Sequence, residues 1–262
     1  MWMDSHCHLD APEFASDRDQ VWQSAQAAGV SRALVPGVEA RNWEAVDACC
    51  HRYPGCAPAY GIHPLYVMAA SESDLELLAR RLATHPPVAV GEIGLDGFVD
   101  SLDPARQEFF FVRQLQLARD FGLPVVLHVR RAVDPILKQL RRIRVSGGIA
   151  HAFNGSRQQA DEFIKLGFKL GFGGTLTYPG SQRIRRLATE LPAETLVLET
   201  DAPDIPPSWR PGGRNDPAQL PAIGRVLAEL RGQEESILAA QLRDNTLAAL
   251  PGLTRWRPLN PS

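Results

Sequence analysis

Short, nearly continuous apolar runs alternate along the chain with longer stretches whose apolar residues recur at helical spacing. The short runs predict eight strands, at 2–6, 32–38, 57–62, 88–93, 124–129, 148–152, 168–173 and 195–200. Runs such as Val125-Val126-Leu127 and Leu196-Val197-Leu198 show no polar alternation, as expected of strands covered on both faces. The stretch 106–120 repeats apolar residues at Phe110 and Leu117, with Val112 and Leu115 widening the face. It gives way to Gly122-Leu123-Pro124, a helix stop followed by a strand start. Comparable patterns predict helices at 18–28, 39–52, 73–84, 135–142, 156–166 and 181–190, most of them ending just before a Gly or Pro.

Eight strand–helix alternations over about 250 residues predict an α/β fold, a (β/α)8 TIM barrel. A doubly wound open sheet is the alternative, but no Gly-rich fingerprint follows the first strand. No composition shift marks a linker, so a single domain over 1–262 is expected. The segment 201–221 is the exception to the alternation, with six prolines and no periodicity. It follows the eighth strand, so it should overhang the barrel mouth, and long loops in compact domains are usually functional.

Composition narrows the class. A 262-residue chain with 44% hydrophobic residues buries enough surface to fold without disulfide staples. A net charge of −2 excludes a disordered tail and a strongly cationic duplex wrapper, yet leaves room for an enzyme that grips a few phosphates. No run of 18 apolar residues exists, and the first residues lack the pattern of a signal peptide. Four cysteines are too few for a disulfide framework, so free thiols and a cytoplasmic location are expected.

Barrel enzymes carry their chemistry at the C-terminal ends of the strands. Five of the seven histidines fall at such ends: His6, His8, His63, His128 and His151. Glu92 and Asp201 fall there too. Each has an ordinary reading alone: a chance histidine pair, core histidines, a structural ion pair at Glu92, a turn at Asp201. Their convergence on one rim points instead to a metal centre, because three donors serve one catalytic ion and six invite two. Imidazole and carboxylate without thiolate favour zinc, manganese, iron or magnesium-like ions. In His6-x-His8 the period of two places both rings on one strand face and turns Cys7 to the other. Cys49-Cys50-His51 with Cys56 fits no zinc-ribbon spacing. Gly171-x-Gly173-Gly174-Thr175 reads either as a phosphate cradle or as small residues making room at the barrel mouth.

Taken together, His6-Cys7-His8-Leu9-Asp10, Gly61-Ile62-His63-Pro64, Gly91-Glu92-Ile93-Gly94-Leu95-Asp96, Leu127-His128, His151-x-Phe153-x-Gly155, Glu199-Thr200-Asp201-Ala202-Pro203 and Arg214-Asn215-x-Pro217 resemble the TatD-type metal-dependent hydrolases. The resemblance runs in order along essentially the whole chain. It implies a somewhat distorted TIM barrel and a cytoplasmic enzyme with two divalent cations, zinc, manganese or magnesium. It also implies a deoxyribonuclease acting on DNA ends in the 3′ to 5′ direction. Carried over by motif, His6, His8 and Asp201 would hold one metal, Glu92 would bridge, and His128 and His151 would complete the second site. His63 would contact the substrate phosphate. The chain departs from the family after Asp96, where Gly97-Phe98-Val99-Asp100 stands in place of an aromatic pair or Tyr–Arg. At the C-terminal end it keeps the family asparagine as Asn245 but lacks the usual phenylalanine.

The chemistry expected of such a centre is metal-assisted phosphodiester hydrolysis, with Asp201 accepting the proton of the attacking water. Arg130, Arg210 and Arg214 are candidate clamps for phosphate oxygens, since guanidinium groups match phosphate geometry. Trp209 would either stack on a terminal base or hold its loop down. Two rival readings are a hydrolase of a small phosphoester, amide or lactone, and a non-catalytic metal- or nucleic-acid-binding scaffold. No feature demands a dimer or another protein partner, so a monomer is expected, with a shallow salt dependence of DNA binding.

Overall fold

A computed structural model describes residues 1–257; the last five residues of the expected domain lie outside the described residues. Eight strands appear: β1 (Trp2–Asp4), β2 (Val30–Pro36), β3 (Cys56–Tyr60), β4 (Ala89–Asp96), β5 (Val125–Arg130), β6 (Gly148–Ala150), β7 (Phe168–Phe172) and β8 (Leu196–Leu198). They pair in parallel in sequence order, β1 to β8. The seam between β8 and β1 is bridged by Ser5 N–H donating to Leu198 O at 3.0 Å and Asp201 N–H donating to His6 O at 2.9 Å. Asp4 reinforces it, accepting from the Thr200 hydroxyl at 2.6 Å and the Thr200 N–H at 3.0 Å. The barrel is thus nearly closed, as the strand–helix alternation predicts.

Its helices are α1 (Arg18–Ala27), α2 (Trp43–Arg52), α3 (Glu72–Thr84), α4 (Pro104–Asp120), α5 (Val133–Arg142), α6 (Arg157–Lys165), α7 (Gln182–Glu190), α8 (Leu220–Arg231) and α9 (Glu235–Ala249). Helix starts carry the expected chemistry: Asp103 accepts from Ala105 N–H, and Ser156 forms a reciprocal capping box with Gln159. The helix expected over 39–52 is divided. Its first residues form a 3₁₀ turn, Ala40–Asn42, closed by reciprocal bonds between Glu39 and Asn42.

Apolar residues separate into two layers. A large cluster, including Trp22, Trp43, Phe110, Phe163 and Leu227, fills the space between sheet and helices. A smaller one fills the barrel itself with Met3, Leu34, Ala57, Ala89, Val126, Ile149 and Val197, joined from below by Leu250 and Leu253. The interior is therefore solid at its lower end, and the upper end is left for polar groups. Two residues beyond the interior Val126, Ile149 and Val197, on the same strand face, come His128, His151 and Glu199. On β4 the pairing register with β5 shifts between Val90 and Ile93, the interval that contains Glu92.

Candidate metal centre

The strand ends bring His6, His8, Glu92 and Asp201 into one knot. His6 Nε2 lies 3.1 Å from Glu92 Oε2 and 3.4 Å from Asp201 Oδ1. His8 Nε2 lies 3.2 Å from His6 Nε2, 3.6 Å from Glu92 Oε2 and 3.7 Å from Asp201 Oδ1. His6 and His8 stand just past the end of β1 rather than within a strand, yet their ring nitrogens still meet. Asp201 holds a positive φ of 58°, a conformation that aspartate tolerates better than most residues.

The other two expected donors each use both ring nitrogens. His128 faces Glu92 Oε1 through Nδ1 at 3.2 Å and Asp96 Oδ2 through Nε2 at 2.9 Å. His151 faces Glu199 Oε1 through Nδ1 at 2.9 Å and Asp201 Oδ2 through Nε2 at 3.6 Å. Each ring thus keeps one nitrogen on the centre and turns the other to an outer carboxylate, hydrogen-bonded at His128, an arrangement common around metal-binding histidines. His63 accepts from Leu65 N–H at Nδ1 (3.1 Å) and turns Nε2 to Glu92 Oε1 at 3.5 Å.

Three sets of donors are close enough to share an ion: His6, His8 and Asp201; His6, Glu92 and His151; and His63, Glu92 and His128. The first matches the set expected for one metal. Glu92 belongs to both of the others, while His128 is grouped with His63 and His151 with His6. Among the described residues none of these sets contains a cysteine, and Cys7, Cys49, Cys50 and Cys56 are free thiols buried in the protein.

The electrostatics suit a cation. The converging donors include no ammonium or guanidinium group, and imidazole with carboxylate is the chemistry of zinc, manganese and related divalent ions. Burial lowers the pKa of His6 and of His63, which favours the neutral imidazole a metal needs. Burial also opposes charge on His8, but Glu92 and Asp201 outweigh it and raise His8 to about 9. At His151 burial is likewise outweighed, by Glu199 and Asp201, and the value rises to about 10. Burial would raise Glu92, but the histidines around it hold its carboxyl well below the usual range.

Asp96 and Glu199 lie inside motifs noticed in the sequence, yet no role attached to them there. The available signal was spacing: Glu199 and Asp201 are two apart, and Asp96 ends the strand that carries Glu92. Helix α4 supports the same end of the barrel through two buried glutamines. Gln107 bonds both backbone groups of Asp96 (2.7 and 3.0 Å), and Gln114 bonds both of Ile62, next to His63 (2.7 and 3.1 Å). The glycines at 171–174 make room: a Cβ on Gly171 would stand 2.2 Å from Glu199 Oε2, and one on Gly174 would stand 2.2 Å from Ile205 O.

The donors lie at the base of an open cavity of about 1600 Å³, whose wall includes Tyr66, Phe98, Arg130, Arg131 and Arg183. Of the three arginines expected at the substrate, only Arg130 lines it. Arg210 pairs with Asp216, and Arg214 pairs with Asp17 at 2.9 Å and bonds Glu13 O; neither lines the cavity. Trp209 Nε1 donates to Gln219 Oε1 at 2.9 Å, which ties the loop to itself. Asn215, fully buried, holds the same loop by donating to Thr200 O, Asp204 O and Ile205 O.

A TIM barrel with clustered histidines and carboxylates at its C-terminal mouth defines a class, the barrel metal-dependent hydrolases. Residues 3–251 match the family described as TatD related DNase, and the chain belongs to that family of metal-dependent hydrolases. It is 41% identical over 248 residues to the uncharacterized metal-dependent hydrolase YjjV of Escherichia coli (strain K12), covering 94% of this chain and 96% of that one. The crystal structure of YjjV superposes with a TM-score of 0.92, at 40% identity, over 95% of this chain and 98% of that chain. The chain is also 36% identical over 249 residues to the 3′-5′ ssDNA/RNA exonuclease TatD of Erwinia billingiae (strain Eb661), covering 91% and 94% of the two chains. No helix of the described residues is long and apolar enough to cross a membrane.

Proposed function

We propose that this protein is a divalent-metal-dependent exonuclease that removes nucleotides from the 3′ ends of single-stranded DNA. The observation that carries the reading is the pairing of the donor knot with a cavity of about 1600 Å³ walled by arginine and aromatic side chains. Sites for small molecules usually measure about 300–1000 Å³, so the space suits several nucleotides better than a small ester or amide. The relative named 3′-5′ ssDNA/RNA exonuclease TatD supports the same direction.

In this reading His6, His8 and Asp201 would hold one cation, His128 and His151 would complete a site for a second, and Glu92 would be shared by both. Bound divalent cations would polarise the phosphoryl group and lower the pKa of a water towards 7. Asp201 takes the proton of the attacking water. His63 keeps its Nε2 proton, because Nδ1 is already an acceptor, and offers it to a phosphate oxygen. Asp96 and Glu199 face the rings of His128 and His151 and keep their other nitrogens turned to where a cation would be held. Arg130 meets the phosphates of the strand. The chain acts as a single-domain, cytoplasmic monomer.

The test is turnover of a 5′-labelled single-stranded oligonucleotide by chelator-stripped protein, with and without added Mg²⁺, Mn²⁺ or Zn²⁺. Metal-restored shortening from the 3′ end, absent in His128→Ala, is the expected result. Metal binding with every oligonucleotide left intact would remove the phosphodiester reading and direct attention to amides and small phosphoesters.

A further inference from the structure

The walls of the cavity differ in charge according to strand order. The end of β5 and the segments after β4, β5 and β7 contribute Phe98, Arg130, Arg131 and, from the start of α7, Arg183. The loops after β8, β1 and β2 contribute Asp204, Glu13 and Glu39. In a nearly closed eight-stranded ring the ends of β4 and β5 lie across from those of β8, β1 and β2, so the metal-binding residues lie between the Phe98, Arg130 and Arg131 wall and the acidic wall, with Arg183 on the flank where β7 adjoins β8.

The basic wall is built, not incidental. Both guanidiniums sit over the exposed Phe98 ring, with Arg130 Cζ 3.8 Å and Arg131 Cζ 4.6 Å from its centroid. Arg131 holds a positive φ of 51°. Gly97 lets the two segments approach, since a Cβ there would lie 2.6 Å from Arg131 O. Like charges drawn to one ring call for a counter-charge. Arg130 has only a 3.9 Å contact with Asp96, and among the described residues Arg131 has no ion-pair partner. Arg183 is held by the neutral Asn154, at 2.6 and 3.1 Å. The carboxylate on this side, Asp134, is engaged by Gln159 at 2.9 Å.

On the acidic wall, Asp204 follows three residues after Asp201, and Glu13 and Glu39 join it in lining the cavity. Arg41 partly offsets them through its 2.7 Å pair with Glu39, but that guanidinium is largely in solvent.

We infer that this opposition of walls selects a free 3′-hydroxyl end: the polynucleotide enters along Arg130, Arg131 and Arg183, and its terminal nucleoside rests against Glu13, Glu39 and Asp204. The inference rests on the exonuclease reading and adds an end specificity to it. A 3′-terminal nucleoside beyond the scissile phosphate carries hydroxyls and no charge, so it meets carboxylates without repulsion and can donate to them. A terminal 3′-phosphate, or a strand continuing past the site, brings negative charge to the same wall. Water forms the new bond to phosphorus, the bond to the 3′-oxygen of the preceding nucleotide breaks, and that oxygen leaves with a proton. A 5′-mononucleotide is released on the acidic side, and the shortened strand, again ending in a hydroxyl, remains on the arginines.

The experiment compares 5′-labelled single-stranded oligonucleotides that end in 3′-hydroxyl or 3′-phosphate, using the metal-reconstituted protein and its Glu13→Gln/Glu39→Gln/Asp204→Asn variant. The wild-type protein should degrade the 3′-hydroxyl strand at least about tenfold faster, and the variant should bring the two rates within about threefold. Anisotropy of the same strands on metal-free protein gives a second readout. There the phosphate end should bind more weakly than the hydroxyl end to the wild type, and equally to the variant. Arg130→Gln/Arg131→Gln should weaken both strands alike. Equal wild-type rates on the two ends would overturn the inference and leave the exonuclease standing. A preference that survives in the triple variant would do the same. No shortening of either strand would remove the exonuclease reading, and the end specificity with it.

Discussion

At Asp4 a carboxylate is fully buried, with hydrogen bonds from Thr200 and His6 and, among the described residues, no cationic partner. Burial raises it, the Thr200 bonds only partly oppose that, and it comes to about 7. Its ordinary value is about 3.9, so the folded protein holds a proton there that the unfolded chain has lost between those two values. This contribution to stability is complete below about pH 4 and is lost as pH rises through about 7, at roughly 1.4 kcal/mol per unit. Asp4→Asn removes the titration and keeps a polar group of the same shape. In chelator, the melting temperature of the variant relative to wild type should therefore climb from pH 5 to pH 8. A difference that stays flat would show that Asp4 does not titrate in that window. Asp96 and Glu199 act differently, through the histidines they hold. Asp96→Asn and Glu199→Gln should each weaken metal binding by about 10–100-fold, measured by competition with a chromogenic chelator. Circular dichroism should remain that of the folded barrel.

The strands illustrate what an apolar pattern carries and where it stops. Their number and order follow from continuous apolar runs, but their ends do not, because β1 leaves the ladder at Asp4 while the polar residues of the site extend beyond it. The histidines at those ends were legible because five of seven recur at one relative position. The orienting carboxylates were not, since a carboxylate next to a turn looks the same whether it faces solvent or an imidazole. Helix α9 is a different case. Its buried face includes Asn245 and Thr246, and Asn245 donates to Ala193 O and Leu196 O at 2.7 Å, so no clean apolar stripe announces it. Arginines 210 and 214 were sensible clamps by composition alone; only the fold shows them committed to Asp216 and Asp17. Strand β7 carries a testable element-level requirement. Gly171→Ala places a methyl against the Glu199 carboxylate and should reduce metal affinity by at least about tenfold, as loss of an orienting carboxylate does. Gly180→Ala meets nothing within 4 Å and should leave affinity unchanged, so the pair separates a local clash from a general glycine effect.

For the molecule as a whole, the donor knot links stability to metal. Without an ion, two carboxylates and several imidazoles crowd one buried point, and His8 and His151 keep protons at neutral pH because their neighbours raise them to about 9 and about 10. A metal needs both imidazoles neutral, so its binding must expel those protons. Affinity should accordingly rise by about 100-fold per unit from about pH 6 to about pH 8, and calorimetry in buffers of different ionisation enthalpy should detect about two protons released at pH 7. The unfolded chain scatters the same donors over the β1, β4, β5, β6 and β8 segments, nearly two hundred residues apart at the extremes. Binding to the folded state alone stabilises it by about 2.7 kcal/mol when the free metal is 100 times its dissociation constant. In a protein of this size that corresponds to a rise in Tm of roughly 5–10 °C, reversed by chelator. His128→Ala should bring the rise down to that of a single remaining ion. A Tm indifferent to Mg²⁺, Mn²⁺ and Zn²⁺ alike would mean that the knot is held by protons rather than built for a cation.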